Sequence, residues 1–281
     1  MAHPAVNLIK NPNGRFMSNW AAGNKPIRGV RVAHADFNDG SITPAPIYDG
    51  VTWSPYFTDG GAITNPDGTA RLSYPVPAPD GNGYCLLGVS MPPNTRIVSL
   101  TCRVKWLTLA HAVKFIKFHG IRNGANYANC TFGLTDGGWW KQISFGDGST
   151  VGNDTANVIQ LDGSYPQGVG RSYFTTPRTA IVQLSHGEFR GDEWGIDVWH
   201  DLELYIKFND GTSAENEVAN GEFQLIIDGK VYVDAKGLFN RRYDNAALDY
   251  ISFGDWAQGA GSTVNNAFTV AFDDIDIYVG G

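Results

Sequence analysis

Long apolar runs are missing from this chain. None approaches the ~18 consecutive apolar residues that mark a membrane-spanning helix, so no membrane insertion is expected. Met1 to Trp20 also lacks the apolar stretch of a secretory signal peptide. Synthesis in the cytoplasm is therefore expected, with release as part of a virus particle on cell lysis; an extracellular location is the alternative. Charge is scarce too. Asp, Glu, Lys and Arg make up 17% of the 281 residues, and the net charge is −7. No Lys/Arg cluster offsets that acidic balance, which argues against nucleic acid as a partner. The same balance makes a strongly anionic polymer an unnatural ligand unless a local basic site exists. Cysteine is nearly absent: Cys85, Cys102 and Cys130 form no CxxC pair and no zinc-like spacing with histidine. Buried or half-buried thiols are the expected state of all three.

What is present is β-structure punctuated by turns. The chain has 34 glycines and 12% aromatic residues. Its clearest segment runs from Trp199 to Leu238. Leu202, Leu204, Ile206 and Phe208 alternate with Asp201, Glu203, Tyr205 and Lys207, the period of a half-buried strand. Asn209-Asp210-Gly211 breaks that strand. Phe223, Leu225 and Ile227 then alternate with Glu222, Gln224 and Asp228, and Asp228-Gly229 is a strong hairpin signal leading into Lys230 to Asp234. The segment reads as an antiparallel meander with one face on a core.

Further strands are expected at Val30 to Phe37, around Trp53, and at Ala70 to Tyr74, Tyr84 to Val89, Thr95 to Leu109, Val113 to Phe118 and Tyr127 to Leu134. Trp139 to Phe145, Ala156 to Leu161, Thr179 to His186, Leu248 to Phe253 and Ala267 to Val279 complete the set. Residues 1–29 read as an arm with turn chemistry at Asn11-Pro12-Asn13-Gly14, suited to contact a neighbouring subunit or virion partner. Residues 30–281 read as one β-domain whose first part, 30–82, is rich in loops. One internal echo stands out: Ile143-Ser144-Phe145-Gly146-Asp147 recurs as Ile251-Ser252-Phe253-Gly254-Asp255.

Four stretches carry a resemblance. They are Lys114-Phe115-Ile116-Lys117-Phe118-His119-Gly120, Trp199 to Asn209, Gly221 to Lys230, and Phe272-Asp273-Asp274-Ile275. Together they resemble the jelly-roll polysaccharide lyases of the concanavalin A-like superfamily, nearest to its alginate and glucuronan lyases, over residues 85–279. The resemblance implies an all-β, concanavalin A-like jelly-roll β-sandwich of two curved antiparallel sheets. It also implies that the concave sheet binds a carbohydrate chain.

A lyase acting on a uronate polymer needs a base for the proton α to the carboxylate. It also needs a group that neutralises the carboxylate, and an acid, often Tyr, for the leaving oxygen. By resemblance, the catalytic candidates are Lys117, His119, His186 and Tyr205. Lys117 aligns with the lysine of the lyase K-x-P-G turn, where His119 replaces the proline. The next lyase strand usually carries Ser-x-Arg. Here it reads Asn129-Cys130-Thr131-Phe132, so the carboxylate-neutralising Arg is missing. Trp139, Trp140, Tyr173 and Arg190 are the candidates for holding sugar rings, because aromatic faces stack on the C–H faces of sugars. Adjacent Trp139 and Trp140 must point to opposite faces of a strand. Asp36 and Asn38, with Asp273 and Asp274, resemble the structural calcium site of jelly-roll carbohydrate modules, where oxygen ligands suit the ion. Glu188, Asp192 and Glu193 lack the compact spacing of a paired-carboxylate glucanase.

These readings converge on a carbohydrate-recognising or structural β-sandwich on a lyase-like scaffold, of the kind used as a virion surface, fibre or decoration protein. The partner would be a polysaccharide or glycan, with homo-oligomer or virion contacts through the arm. The alternative is an active polysaccharide lyase cleaving a uronate polymer by β-elimination.

Overall fold

The computed structural model describes residues 29–57, 60–74, 82–108, 113–122, 125–135, 140–145, 157–160, 181–183, 197–210, 218, 220–238, 248–258 and 268–280, and two short strands at 9–10 and 16–17. Every regular element among them is a β-strand. In chain order these are β1 (Ile9–Lys10), β2 (Phe16–Met17), β3 (Val30–Ala35), β4 (Trp53–Phe57), β5 (Ala62–Thr64) and β6 (Ala70–Tyr74). Next come β7 (Asn82–Thr95), β8 (Ile97–Thr108), β9 (Val113–Arg122), β10 (Ala125–Thr135), β11 (Trp140–Phe145) and β12 (Asn157–Gln160). The last six are β13 (Ile181–Gln183), β14 (Trp199–Lys207), β15 (Gly221–Ile227), β16 (Lys230–Leu238), β17 (Leu248–Gln258) and β18 (Phe268–Val279).

Two antiparallel sheets make the sandwich. One has seven strands in the order β12-β11-β10-β9-β17-β7-β4. The other has nine, in the order β13-β16-β15-β14-β8-β18-β6-β5, with β3 also paired to β18. Within the expected arm, β1 and β2 pair with each other; the rest of residues 1–28 lies outside the described residues.

The core forms where the two apolar faces meet. Leu100, Val104 and Trp106 of β8, Leu204 and Ile206 of β14, and Phe272 and Ile277 of β18 come from the nine-stranded sheet. Leu87 and Val89 of β7, Phe118 of β9, and Ile251 and Phe253 of β17 come from the other. Phe253 and Phe272 meet edge to face across the interface, with ring centroids 5.3 Å apart. Fully burying each such side chain contributes about 1.5–3 kcal/mol. Two of the sparse cysteines, Cys85 and Cys102, are buried free thiols in this core. Desolvation raises the Cys85 thiol to about 11, so it stays protonated.

The meander folds as its alternation dictates. β14, β15 and β16 are consecutive neighbours, with Leu204 opposite Leu225 and Ile206 opposite Phe223. Asp228 (φ 51°) and Gly229 (φ 73°) form the tight turn, both in the left-handed region that this hairpin type requires. Elsewhere tertiary context moved the boundaries. β3 ends at Ala35 because Phe37 is already turning at φ 53°, its carbonyl closing a bond from the Gly40 amide.

β18 serves two neighbours in turn. Its first half, Phe268 to Phe272, pairs with β6, and its second half, Ile275 to Val279, pairs with β3. A bulge at Asp273–Asp276 against β8 makes the switch, with Asp274 at φ 46°. β4 forms an edge of the seven-stranded sheet. Its central Pro55 has no amide to offer a further strand, which suits an edge and discourages pairing with another chain.

Gly254 is tightly enclosed, between its neighbour strand β7 and Leu72 of the facing sheet. It sits at φ 85°, and a Cβ there would collide with Leu72 Cδ2 and the Cys85 carbonyl oxygen. Gly50 has a similar φ of 76° but open space around it. Gly254→Ala is expected to cost about 2–4 kcal/mol, from strain and overpacking together. Gly50→Ala should cost only about 1 kcal/mol, from backbone strain alone. Denaturant midpoints measured side by side check the difference.

Candidate functional site

β9 and β17 lie side by side in the seven-stranded sheet, and their apolar residues fix which way the rest must point. Ile116, Phe118, Ile251 and Phe253 are all fully buried in the core. Alternation therefore places Lys117 and His119, and Tyr250 and Ser252, on the sheet's outer face. The register sets Lys117 opposite Ser252 and His119 opposite Tyr250.

The Lys117 row continues across the sheet. Ser252 faces Gly88 on β7, and Gly88 faces Ser54 on β4. On the other side Lys117 is paired with Thr131 of β10, and Thr131 with Ser144 of β11. Six strands thus contribute Ser54, Gly88, Ser252, Lys117, Thr131 and Ser144 to one row. At about 4.8 Å per strand the row spans about 24 Å. The adjacent row holds Ser90, Tyr250 and His119. Ser90 Oγ accepts from the Thr52 amide at 2.7 Å and donates to the Gly50 carbonyl at 3.1 Å, tying the approach to β4 onto β7.

His119 is the best-anchored member. Its ring stacks on Tyr250 with centroids 4.0 Å apart and planes 7° from parallel. Its Nε2 lies 2.9 Å from Ser252 Oγ. The hydroxyl can donate or accept, so either imidazole tautomer satisfies that contact. His119 is only 9% exposed and Ser252 is fully buried. Burial, reinforced by the Lys117 charge alongside, pushes the imidazole down to about 3. The ring is therefore neutral at ordinary pH. This gives the face a cationic Lys117, a neutral imidazole, a phenol and a row of small hydroxyl residues. Such a set can hydrogen-bond a polyhydroxylated ligand and can neutralise one carboxylate.

The other residues singled out from the sequence fall elsewhere. Tyr205 lies on β14 in the nine-stranded sheet, between Ser99 and Gln224, so it does not join Lys117 and His119. The reason is topological: β9 and β14 belong to different sheets. Trp140 opens β11, opposite Thr135. Trp139, Tyr173, His186 and Arg190 lie outside the described residues. Asp36 and Asp274 each sit one residue beyond Ala35 and Ile275, the pair that ends the β3–β18 register. Asp36 Oδ1 accepts from the Asn38 amide at 3.2 Å, which lowers its pKa. Asp273 Oδ2 accepts from Arg103 Nη1 at 3.3 Å, and its Oδ1 accepts from the Asp274 amide at 2.8 Å. Among the described residues no three His, Cys, Asp or Glu side chains gather closely enough to hold a metal ion. Asp36 takes part in a turn and Asp273 in a bulge.

Tyr250 and Ser252 escaped the sequence reading. The signal for Ser252 was the echo of Ile143-Ser144-Phe145 in Ile251-Ser252-Phe253. Both segments are strands of the same sheet, and both bring a serine into the Lys117 row.

No protein-family model matches the chain, and no curated protein matches it. Solved structures do. An endo-β-1,4-glucuronan lyase from the fungus Trichoderma reesei superposes with a TM-score of 0.52 at 10% identity, covering 89% of this chain and 96% of that one. An alginate lyase from Chlorella virus gives 0.49 at 15% identity, covering 83% and 92%. An alginate lyase from Pseudomonas aeruginosa gives 0.48 at 9%, covering 80% and 88%. At such identities the likeness is one of fold: the chain is an all-β sandwich on a polysaccharide-lyase-like jelly-roll scaffold.

Because the His119 pKa lies below its unfolded value near 6.5, the unfolded chain binds that proton first as pH falls. His119 should therefore cost no stability above about pH 6.5, and should draw stability down between about 6.5 and 3 by at most ~1.4 kcal/mol per pH unit. Urea melts across that window should show a shallower decline for His119→Gln than for the parent chain. Equal slopes would show that the imidazole is not held neutral.

Proposed function

We propose that the outer face of the seven-stranded sheet binds a uronate-containing polysaccharide, laid across the strands along the Lys117 row. The observation that carries this reading is the register that sets Lys117 among hydroxyl residues, beside the His119–Tyr250 stack. Lys117 supplies the charge for a carboxylate. The exposed Ser54 at the β4 end of the row supplies a hydroxyl for a sugar, and the buried His119 holds Ser252 and Tyr250 in place. The lyase-like scaffold supports a carbohydrate ligand by analogy of fold.

A second reading, β-elimination at the same face, is favoured by one observation: Lys117 and Tyr250 lie in adjacent rows on neighbouring strands. In that chemistry Lys117 would stabilise the developing carboxylate-derived charge and the Tyr250 phenol would carry the proton. His119 suits it less well as a base, because a group near pKa 3 is poorly matched to proton abstraction at neutral pH. Recognition is therefore the leading reading, with His119 as a positioning residue.

Calorimetry on soluble uronate-containing polysaccharides tests both. Lys117→Met should weaken binding by roughly tenfold or more, the scale of one hydrogen bond to a charged group. Tyr250→Phe should leave binding largely intact. Ultraviolet absorbance from an unsaturated uronate product, lost in both variants, would move the assignment to a lyase. Unchanged affinity in Lys117→Met would rule out this face as the binding site.

A further inference from the structure

Exposed aromatic rings are concentrated in one short segment. Among the described side chains the exposed aromatics are Tyr48, Tyr56 and Phe57, at 41%, 51% and 51%. All three belong to β4 or to the turn that leads into it. The Val51 amide closes that turn on the Tyr48 carbonyl at 3.2 Å, with Gly50 at φ 76°. Ser90 of β7 then pins the chain from both sides. Its Oγ accepts from the Thr52 amide and donates to the Gly50 carbonyl, and its amide donates to the Thr52 carbonyl at 3.0 Å. The segment is fixed before any ligand arrives, which lowers the ordering cost of binding.

Alternation sorts the side chains of this edge. Trp53 is buried in the core, and Phe57 turns to its side of the strand. Thr52, Ser54 and Tyr56 share the outer side, and all three are exposed. Thr52 Oγ1 lies 3.3 Å from Ser90 Oγ there. Successive members of the strip are about 6.8 Å apart along the strand. Two hydroxyls and a ring make an uncharged surface. Those are the groups that meet a sugar: the ring takes a C–H face, and the hydroxyls take hydrogen bonds. A strand from another chain suits the place poorly, because Pro55, between Ser54 and Tyr56, has no amide to offer it.

The strip also touches the proposed binding path. Lys117, Ser252, Gly88 and Ser54 stand on four successive strands, which puts Ser54 about 14 Å from Lys117. Ser252 and Gly88 are small and buried, so they form the floor between the two ends rather than a contact surface.

Resting on the polysaccharide-binding reading above, we infer that the β4 edge is a second sugar subsite, which holds a pyranose ring by its uncharged parts. The C–H face stacks on Tyr56, and ring hydroxyls meet Ser54 and Thr52. Lys117 answers the charge of the polymer, and β4 answers the sugar ring itself.

Calorimetry on the full chain with two hexasaccharides tests this. One is the β-1,4-linked glucuronate hexamer, and the other is cellohexaose, its neutral counterpart of the same linkage. Tyr56→Ala should weaken both by roughly three- to tenfold, and by the same factor at low and high salt, because no charge is removed. Tyr56→Trp keeps a platform and should retain the binding of both. Lys117→Met should weaken only the glucuronate hexamer, by a factor that shrinks as salt rises. Unchanged affinities in Tyr56→Ala, with Lys117→Met still weakening the glucuronate hexamer, would overturn the edge subsite and leave the Lys117 reading standing. So would sedimentation showing that Tyr56→Ala breaks up a dimer, since the strip would then be an interface between copies. Losses in Tyr56→Ala with none in Lys117→Met would support the edge subsite and remove Lys117 from the path. Binding of neither hexamer would overturn both readings.

Discussion

A strand in a sandwich has only two sides, and in β9 and β17 the core claims one of them completely. Ile116, Phe118, Ile251 and Phe253 are excluded from water, and a one-residue slip would bring Lys117 and His119 into the hydrocarbon interior. The position of the polar residues on the outer face is therefore a by-product of the hydrophobic effect acting on their neighbours. The core thus decides which residues face outward, and the pairing register decides which of them stand together. In β17 the Ile251-Ser252-Phe253 triplet follows the same rule, giving two residues to the interior and turning the serine the other way.

His119 shows how such a face can be polar without being highly charged. Desolvation against the sheet disfavours its protonated form, and the ammonium of Lys117 disfavours it further. The ring gives up its basicity and in return becomes a rigid spacer, stacked on one side and hydrogen-bonded to a fully buried hydroxyl. The nine-stranded sheet solves its electrostatics the other way. It carries many charges and cancels them in pairs, most of them partly exposed and worth at most about 1 kcal/mol each. The two faces of this molecule thus differ in kind. Among the described side chains, one sheet carries several ion pairs, and the other sets Lys117 beside a neutral imidazole.

The architecture was readable wherever the information was local. The alternation of Leu202, Leu204 and Ile206 and the turn at Asp228-Gly229 needed no knowledge of partners, and the meander formed as expected. Lys117 and His119 could be placed on one face by counting in twos. What they would stand beside could not. Ser252 lies 133 positions from His119, and nothing in either segment announces the other. The separation of Tyr205 from Lys117 was hidden for the same reason: an outward tyrosine on β14 looks like an outward tyrosine on β17 until the strand order is known. Nor does the segment around Asp273 announce Arg103, which it meets from 170 positions away. Sequence alternation gives the face of each residue; only the pairing of distant strands gives its company.

The double pairing of β18 has a consequence in time. β8 has two neighbours, β14 and β18, and β18 alone connects it to β6 and β3. As the chain is made, β8 can join β14 and β6 can join β5, but β3 and the link between β8 and β6 wait until residues 268 to 279 follow. The nine-stranded sheet therefore assembles from the outside inward, with contacts of high sequence separation closing last. Until then β6 and β8 carry unpaired edges, the condition in which nascent chains recruit chaperones or one another. Folding of this molecule waits on the arrival of its central strand.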